Sequence, residues 1–263
     1  MMDYRERYGP WAVIAGASEG TGASFARQLA EQGLNLILIA RREGPLAELA
    51  NELRAAHGVE CVTSTIDLSG EDATARMAEA AGGREVGLLI LNAGADPNGA
   101  RFLDSDIAAW DQLVMRNVMT VMRACHRFGA AMRDRGRGGI ILCGSGACYG
   151  GLPGVTVYGA SKAFDLVFGE GLWIELKPHG VDVLNLIMGR TDTPAHRELM
   201  AEKGIPFPNN CASADDVARL GLEQLPHGPV LNWGLEDEDA GYAGTSAAQR
   251  RERILHIAAS MVH

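Results

Sequence analysis

No hydrophobic run in this chain is long enough to cross a bilayer. The longest, such as Leu36-Ile37-Leu38-Ile39-Ala40, fall far short of the roughly 20 residues a spanning helix needs. There is no surplus of positive charge either. Lys and Arg number 24 against 33 Asp and Glu, a net charge of -9, which argues against nonspecific nucleic-acid binding and against docking on an anionic membrane. The five cysteines (Cys61, Cys125, Cys143, Cys148, Cys211) are odd in number and include no Cys-x-x-Cys spacing. They read as reduced thiols used as small core residues, which predicts a cytoplasmic protein. The seven histidines are dispersed, with no His-Glu-x-x-His or similar grouping, so no metal site is expected. Met1 to Arg7 shows no apolar segment after its charges, which predicts no secretory signal. Low-complexity tracts, internal repeats and Pro- or Ser-rich linkers are also missing, so residues 1–263 are expected to form a single domain.

What is present is an alternation of short apolar runs with longer helical patterns. It predicts strands over 12–15, 34–40, 61–66, 86–91, 139–143, 181–187 and 229–232. Helices are predicted over 24–32, 46–57, 71–81, 107–133, 158–177, 213–225 and 247–259. Near-continuous apolar strands between helices imply a parallel sheet covered on both faces. The expected fold is therefore α/β, a Rossmann-like doubly wound parallel sheet of about seven strands. Ligands bind such sheets beyond the carboxyl ends of the strands. The stretch 189–212 is less regular, with Pro194, Pro206 and Pro208, and reads as a substrate loop or a plain surface loop.

Several polar and glycine residues fall on that ligand side. The first strand runs into Gly16-Ala17-Ser18-Glu19-Gly20-Thr21-Gly22. Glycines there allow a tight turn and let a pyrophosphate approach the backbone at a helix N-terminus. The second strand ends in Arg41 and Arg42, where an NAD-binding chain places an acidic residue. Two guanidinium groups there would bind a 2′-phosphate, or else are solvated surface charges. Asp67 and Leu68 follow the third strand, Asn92-Ala93-Gly94 the fourth, and Ser145 the fifth. Taken singly, each polar residue reads as a turn former or as a ligand contact. Tyr158 and Lys162 are four apart on a predicted helix and share one face. A cation beside a phenol lowers its pKa, so the pair can give or take a proton near neutral pH, which a carbonyl/alcohol interconversion requires.

Jointly, Gly16-x-x-x-Gly20-x-Gly22, Asn92-Ala93-Gly94, Asn117, Ser145 and Tyr158-x-x-x-Lys162 resemble the classical short-chain dehydrogenases/reductases over roughly residues 10 to 235. The resemblance implies an NADP(H)-dependent oxidoreductase acting on a carbonyl or secondary alcohol of a small, fairly lipophilic substrate. It implies Tyr158 as general acid/base, Ser145 as a hydrogen-bond partner of the substrate oxygen, and Lys162 as holder of the nicotinamide ribose. Asn117 would position a relay water. Asp67 would meet the adenine, Asn92 and Gly94 would line the cofactor cleft, Thr193 would contact the nicotinamide amide, and Leu68 and Gly189 would also bind the cofactor. Arg41, helped by Arg42 and Ser18, matches the basic position of NADP-preferring members. Met188 stands where the family has proline, and Ala15 where it has threonine. The apolar circumference of the two long helices, together with the family's mode of pairing, implies a homodimer or homotetramer. Two alternatives are a non-catalytic, redox-sensing NADP(H)-binding regulator on the same fold and an enzyme of another class on this scaffold, a lyase or dehalogenase.

Overall fold

The computed structural model describes residues 3–96 and 99–233; the helix predicted over 247–259 lies outside them. The strands are β1 (Trp11–Ala15), β2 (Asn35–Ala40), β3 (Cys61–Thr65), β4 (Val86–Leu91), β5 (Gly138–Ser145), β6 (Val181–Met188), the two-residue β7 (Thr191–Asp192) and β8 (Ala212–Ser213), and β9 (Val230–Trp233). Seven of them form one sheet in the order β3-β2-β1-β4-β5-β6-β9, and every pairing is parallel. β7 pairs with β8 in a separate short ribbon. The helices are α1 (Tyr4–Tyr8), α2 (Gly20–Glu31), α3 (Glu43–His57), α4 (Ala73–Ala81), α5 (Ile107–Val114), α6 (Thr120–Arg135), α7 (Thr156–Leu176), α8 (Pro194–Glu202) and α9 (Ala214–Gln224).

The apolar runs form central strands because both of their faces are covered. Alternate residues of β2 point to opposite sides. Leu36 and Leu38 join a core with Phe25, Leu29, Leu46, Leu53 and Leu222, under α2, α3 and α9. Ile37 and Ile39 join a second core with Met77, Phe128, Met132 and Val183, under α4 and α6. β3, at the edge of the sheet, instead exposes Thr63 and Thr65 in alternation. Among the described residues, no helix is long and apolar enough to cross a membrane.

Four features differ from the sequence pattern in ways that matter. α2 begins at Gly20 rather than at residue 24, so Gly20 and Gly22 form its first turn. The single helix expected over 107–133 is interrupted by a π turn at Met115–Met119, which carries Asn117. The region 189–212 is more ordered than a loop, because Thr193 caps α8 by accepting from His196 N. β6 also runs one residue further than expected. Met188 pairs with Ser145 on one side and Trp233 on the other, a position where proline would bring no N–H to the ladder.

The chain leaves β1 toward β2 and β3, then returns to place β4 on the other side of β1. Connections therefore diverge between β1 and β4, and a crevice opens there at the carboxyl ends of the strands.

Candidate active site

The glycine turn lies in that crevice. Gly16 N and Ala17 N donate to Ile39 O at 2.8 and 3.0 Å, while Asn92 N and Ala93 N donate to Ala15 O at 3.0 and 2.9 Å. The ends of β1, β2 and β4 are thus fastened together. Gly16 has φ +87, and a Cβ there would sit 2.7 Å from Ala93 N. A Cβ on Gly22 would run into the carbonyl oxygen of Gly16. That same oxygen accepts from Asn92 Nδ2 at 3.0 Å. Glu19, the N-cap of α2, makes no side-chain cap, so no carboxylate of its own closes the helix start. Ser18 is half-buried within the turn. A glycine-rich turn at a helix N-terminus fits a dinucleotide pyrophosphate.

The two arginines after β2 have different fates. The Arg42 guanidinium is ion-paired with Glu19. Arg41 is exposed and makes no hydrogen bond or ion pair with the described residues. Nearby, Asp67 Oδ1 accepts from Ser69 N at 3.0 Å and from Ser69 Oγ at 2.6 Å. Those bonds first, then the charges of Arg41 and Arg116, hold its carboxyl below the usual range. Leu68 is buried beside it, and its carbonyl accepts from Thr120 Oγ1 at 2.8 Å. Arg116 belongs to this neighbourhood although nothing in the local sequence singles it out. It donates to Ala95 O at 2.8 Å and to Asn117 Oδ1 at 3.2 Å. Burial, then the charge of Arg41, lowers its pKa.

The predicted catalytic residues lie on and around β5 and α7. Ser145 is the last residue of β5, and its Oγ accepts from Ala147 N at 3.3 Å. A Cβ on Gly159 would lie 3.1 Å from Ala147 O, so the first turn of α7 rests directly on the turn after Ser145. This contact brings Tyr158 beside that turn. Lys162, one helical turn on and only 3% exposed, donates to Cys143 O at 2.8 Å and to Asp165 Oδ2 at 3.0 Å. Burial works to lower its pKa, yet Asp165 and Tyr158 hold it above the ordinary lysine value.

Asn117 braces this arrangement. It is fully buried, and its Nδ2 donates to Gly94 O and to Ser161 Oγ, both at 3.1 Å. Ser161 Oγ donates in turn to Tyr158 O at 2.7 Å. A Cβ on Gly94 would meet Lys162 Nζ at 2.9 Å and Asn117 Oδ1 at 3.4 Å. The ends of β4 and β5, the π turn and α7 therefore converge on one place. Both Nδ2 hydrogens are committed, so a relay water would have to meet Oδ1 or the backbone carbonyl of Asn117.

From the far side, Thr193 Oγ1 accepts from His196 N at 3.2 Å, and Thr191 Oγ1 donates to Gly189 O at 3.4 Å. Gly146, Ala147, Tyr149 and Leu152, which follow Ser145 in the chain, and Met188, which pairs with Ser145, are half-buried. Tyr149 donates to Asn232 Oδ1 at 2.5 Å, a contact to β9 that the sequence pattern did not anticipate.

A family model described as short chain dehydrogenase matches residues 10–204. A 7β-hydroxysteroid dehydrogenase of Clostridium sardiniense is 33% identical over 227 residues, covering 85% of each chain. A solved structure of a 7β-hydroxysteroid dehydrogenase superposes with TM-score 0.85 at 26% identity, covering 97% of this chain and 99% of that one. A short-chain dehydrogenase from Sphingobium yanoikuyae, solved with NADPH, superposes with TM-score 0.76 at 26% identity, covering 97% of this chain and 97% of that one.

Proposed function

The chain belongs to the short-chain dehydrogenase/reductase family, and from that premise we propose that this NAD(P)-dependent oxidoreductase uses NADP(H) to interconvert a ketone and a secondary alcohol on a lipophilic substrate. The observation that supports the reading is that Lys162 and Asn117 meet at Gly94, while the first turn of α7, which carries Tyr158, packs on the turn after Ser145. When bound, the nicotinamide would supply the hydride chemistry. The protein's own residues supply position and protons. Gly16, Gly20 and Gly22, with Asn92, make room for the pyrophosphate. Asp67 and Leu68 face the adenine end. Gly94, Gly189 and Thr193 border the nicotinamide end, and Lys162 holds a ribose hydroxyl. In reduction, Tyr158 gives a proton to the substrate oxygen, and Ser145 stabilises the charge that develops there.

The preference for NADP(H) rests on Arg41, whose guanidinium makes no ion pair with a described carboxylate and which follows β2 where an NAD-binding chain places an acidic residue. Arg42 contributes less, being held by Glu19. The half-buried apolar residues around Ser145 favour a lipophilic substrate. The named relatives put hydroxysteroids and ketosteroids at the head of the panel. α8, resting over the cradle through Thr193, is the part of 189–212 best placed to enclose the substrate. A purely regulatory role gains no support from relatives named as dehydrogenases.

The test is cofactor fluorescence on mixing with NADPH and NADH, followed by turnover of a ketone and alcohol panel headed by ketosteroids. NADPH binding with turnover of a member is expected. Binding with no turnover across the panel would favour the regulator, and preference for NADH would overturn the cofactor assignment.

A further inference from the structure

A carboxylate buried to 2% exposure requires a partner, because an unpaired buried charge is costly. Asp165, on α7, has one. Its Oδ2 lies 3.0 Å from Lys162 Nζ, and both side chains are almost fully buried. Its other oxygen, Oδ1, is buried with no hydrogen-bond partner. The titratable groups that neighbouring elements turn toward this pair are thiols: Cys125 on α6, Cys143 on β5, and Cys148 in the turn after β5. Burial pushes Cys143 and Cys148 up to about 12 and Cys125 higher still, so none carries charge near neutral pH. Burial pushes the Asp165 carboxyl above the usual carboxylate range, and Lys162, the charge that answers it among the described residues, works against that rise through its ammonium and its hydrogen bond.

We propose that Asp165 is the buried counter-ion that keeps Lys162 an ammonium, so that the proton leaving the Tyr158–Lys162 pair comes from the phenol and not from the lysine. The inference rests on Tyr158 being the proton donor proposed above. Two coupled groups lose their protons as a pair, and the first proton can leave either one. An anion 3.0 Å from Nζ favours the ammonium strongly. The same anion opposes the phenolate less, because Tyr158 lies about two helical turns away with Lys162 between them. Without that anion, a buried lysine gives up its proton readily. Asp165 touches none of the reacting atoms and is therefore a positioning residue. It fixes both the place and the protonation of Lys162, at the cost of making the pair hold its proton more tightly overall.

Asp165→Asn keeps the shape and an acceptor for Lys162 but removes the charge. Two readouts follow, both on the full chain. In the pH profile of kcat/KM for oxidation of the alcohol that turns over best in the panel, the acid limb should move down by about one pH unit. Removing a negative charge makes the pair release its proton at lower pH, so the shift is downward whichever group gives it up. On the protein without cofactor, ultraviolet difference titration against Tyr158→Phe in the same background isolates the Tyr158 phenolate. Its amplitude should shrink in Asp165→Asn, because the lysine now surrenders part of the proton. A packing role would lower kcat or the melting temperature and leave the limb in place. An unmoved limb with an unchanged phenolate amplitude overturns the proposal. If Asp165→Asn does not fold, Asp165→Ser is read in the same way. Asp165→Glu retains the charge and should retain the wild-type limb; a limb that moves as far in Asp165→Glu as in Asp165→Asn also overturns it. The two layers fail separately. Activity retained in Tyr158→Phe removes the functional reading, whereas an inactive Tyr158→Phe with an unmoved limb in Asp165→Asn removes only the counter-ion.

Discussion

Thr193 presses on Gly20. A Cβ added to Gly20 would meet Thr193 Cγ2 at 2.8 Å, so the loop after β6 and the glycine turn after β1 are in contact across the mouth of the crevice. The contact couples the start of α8, which Thr193 caps, to the cradle assigned to the pyrophosphate.

Gly20→Ala tests that coupling. Gly20 has φ +53, a left-handed conformation that costs a side-chain-bearing residue roughly 1–2 kcal/mol. The added methyl also displaces Thr193. The strain should lower the melting temperature by roughly a few degrees, and the displaced Thr193 should weaken NADPH binding by about tenfold. Fluorescence titration measures the affinity and thermal unfolding the stability. Unchanged affinity would mean that this turn does not carry the cofactor.

Tyr158→Phe removes one oxygen and leaves the ring. Turnover should fall by on the order of 10²–10⁴, the range for losing a general acid/base. NADPH binding should persist, because the cradle glycines lie on other elements. Single-turnover kinetics with NADPH and the best ketone of the panel measure the chemical step. Near-normal rates would place the proton on another group.

Much of this site was legible in the chain because its signals are local. The apolar runs that became β1, β2 and β4 are continuous in sequence, and the turn glycines and the Tyr158–Lys162 spacing need only a few residues to be read. What could not be read depends on distant partners. The engagement of Arg42 by Glu19 joins residues on two successive βα connections. The bond from Asn117 to Ser161 joins residues 44 apart. The π turn at Met115–Met119 has no local marker, because Met-Arg-Asn-Val-Met would sit equally well in an α-helix. Asp165 is the instructive intermediate case. Its i, i+3 relation to Lys162 is visible in sequence, but such pairs are usually solvated and nearly neutral in energy. Only burial between β5 and α6 turns this one into a strong interaction.

Self-association should occur through the faces of α6 and α7. Val167 and Ile174 on α7 are 67% and 60% exposed, and Met122 on α6 is 37% exposed. Exposed apolar side chains on α6 and α7 are surfaces that a second copy of the chain would cover. A dimer or tetramer mass is expected by light scattering at micromolar concentration. Val167→Glu should shift that mass toward the monomer, and a wild-type monomer would show that this face is not an interface.

Arg41→Ala addresses the cofactor. A guanidinium bound to the 2′-phosphate makes charge-assisted hydrogen bonds worth roughly 1.5–3 kcal/mol, about a 10- to 150-fold preference for NADPH over NADH. The substitution should erase most of that preference through loss of NADPH, leaving NADH almost unchanged, since NADH has no phosphate at that place. Arg42 is poorly placed to compensate, because leaving Glu19 would break an existing ion pair. Glu19→Gln should therefore release Arg42 and raise NADPH affinity modestly, and in the Arg41→Ala background it should restore part of what was lost. The measurement is kcat/KM with each cofactor for wild type and the three variants at one low ionic strength, because screening weakens such contacts. Equal losses with both cofactors in Arg41→Ala would make Arg41 a surface charge, and a wild type that prefers NADH would reverse the assignment.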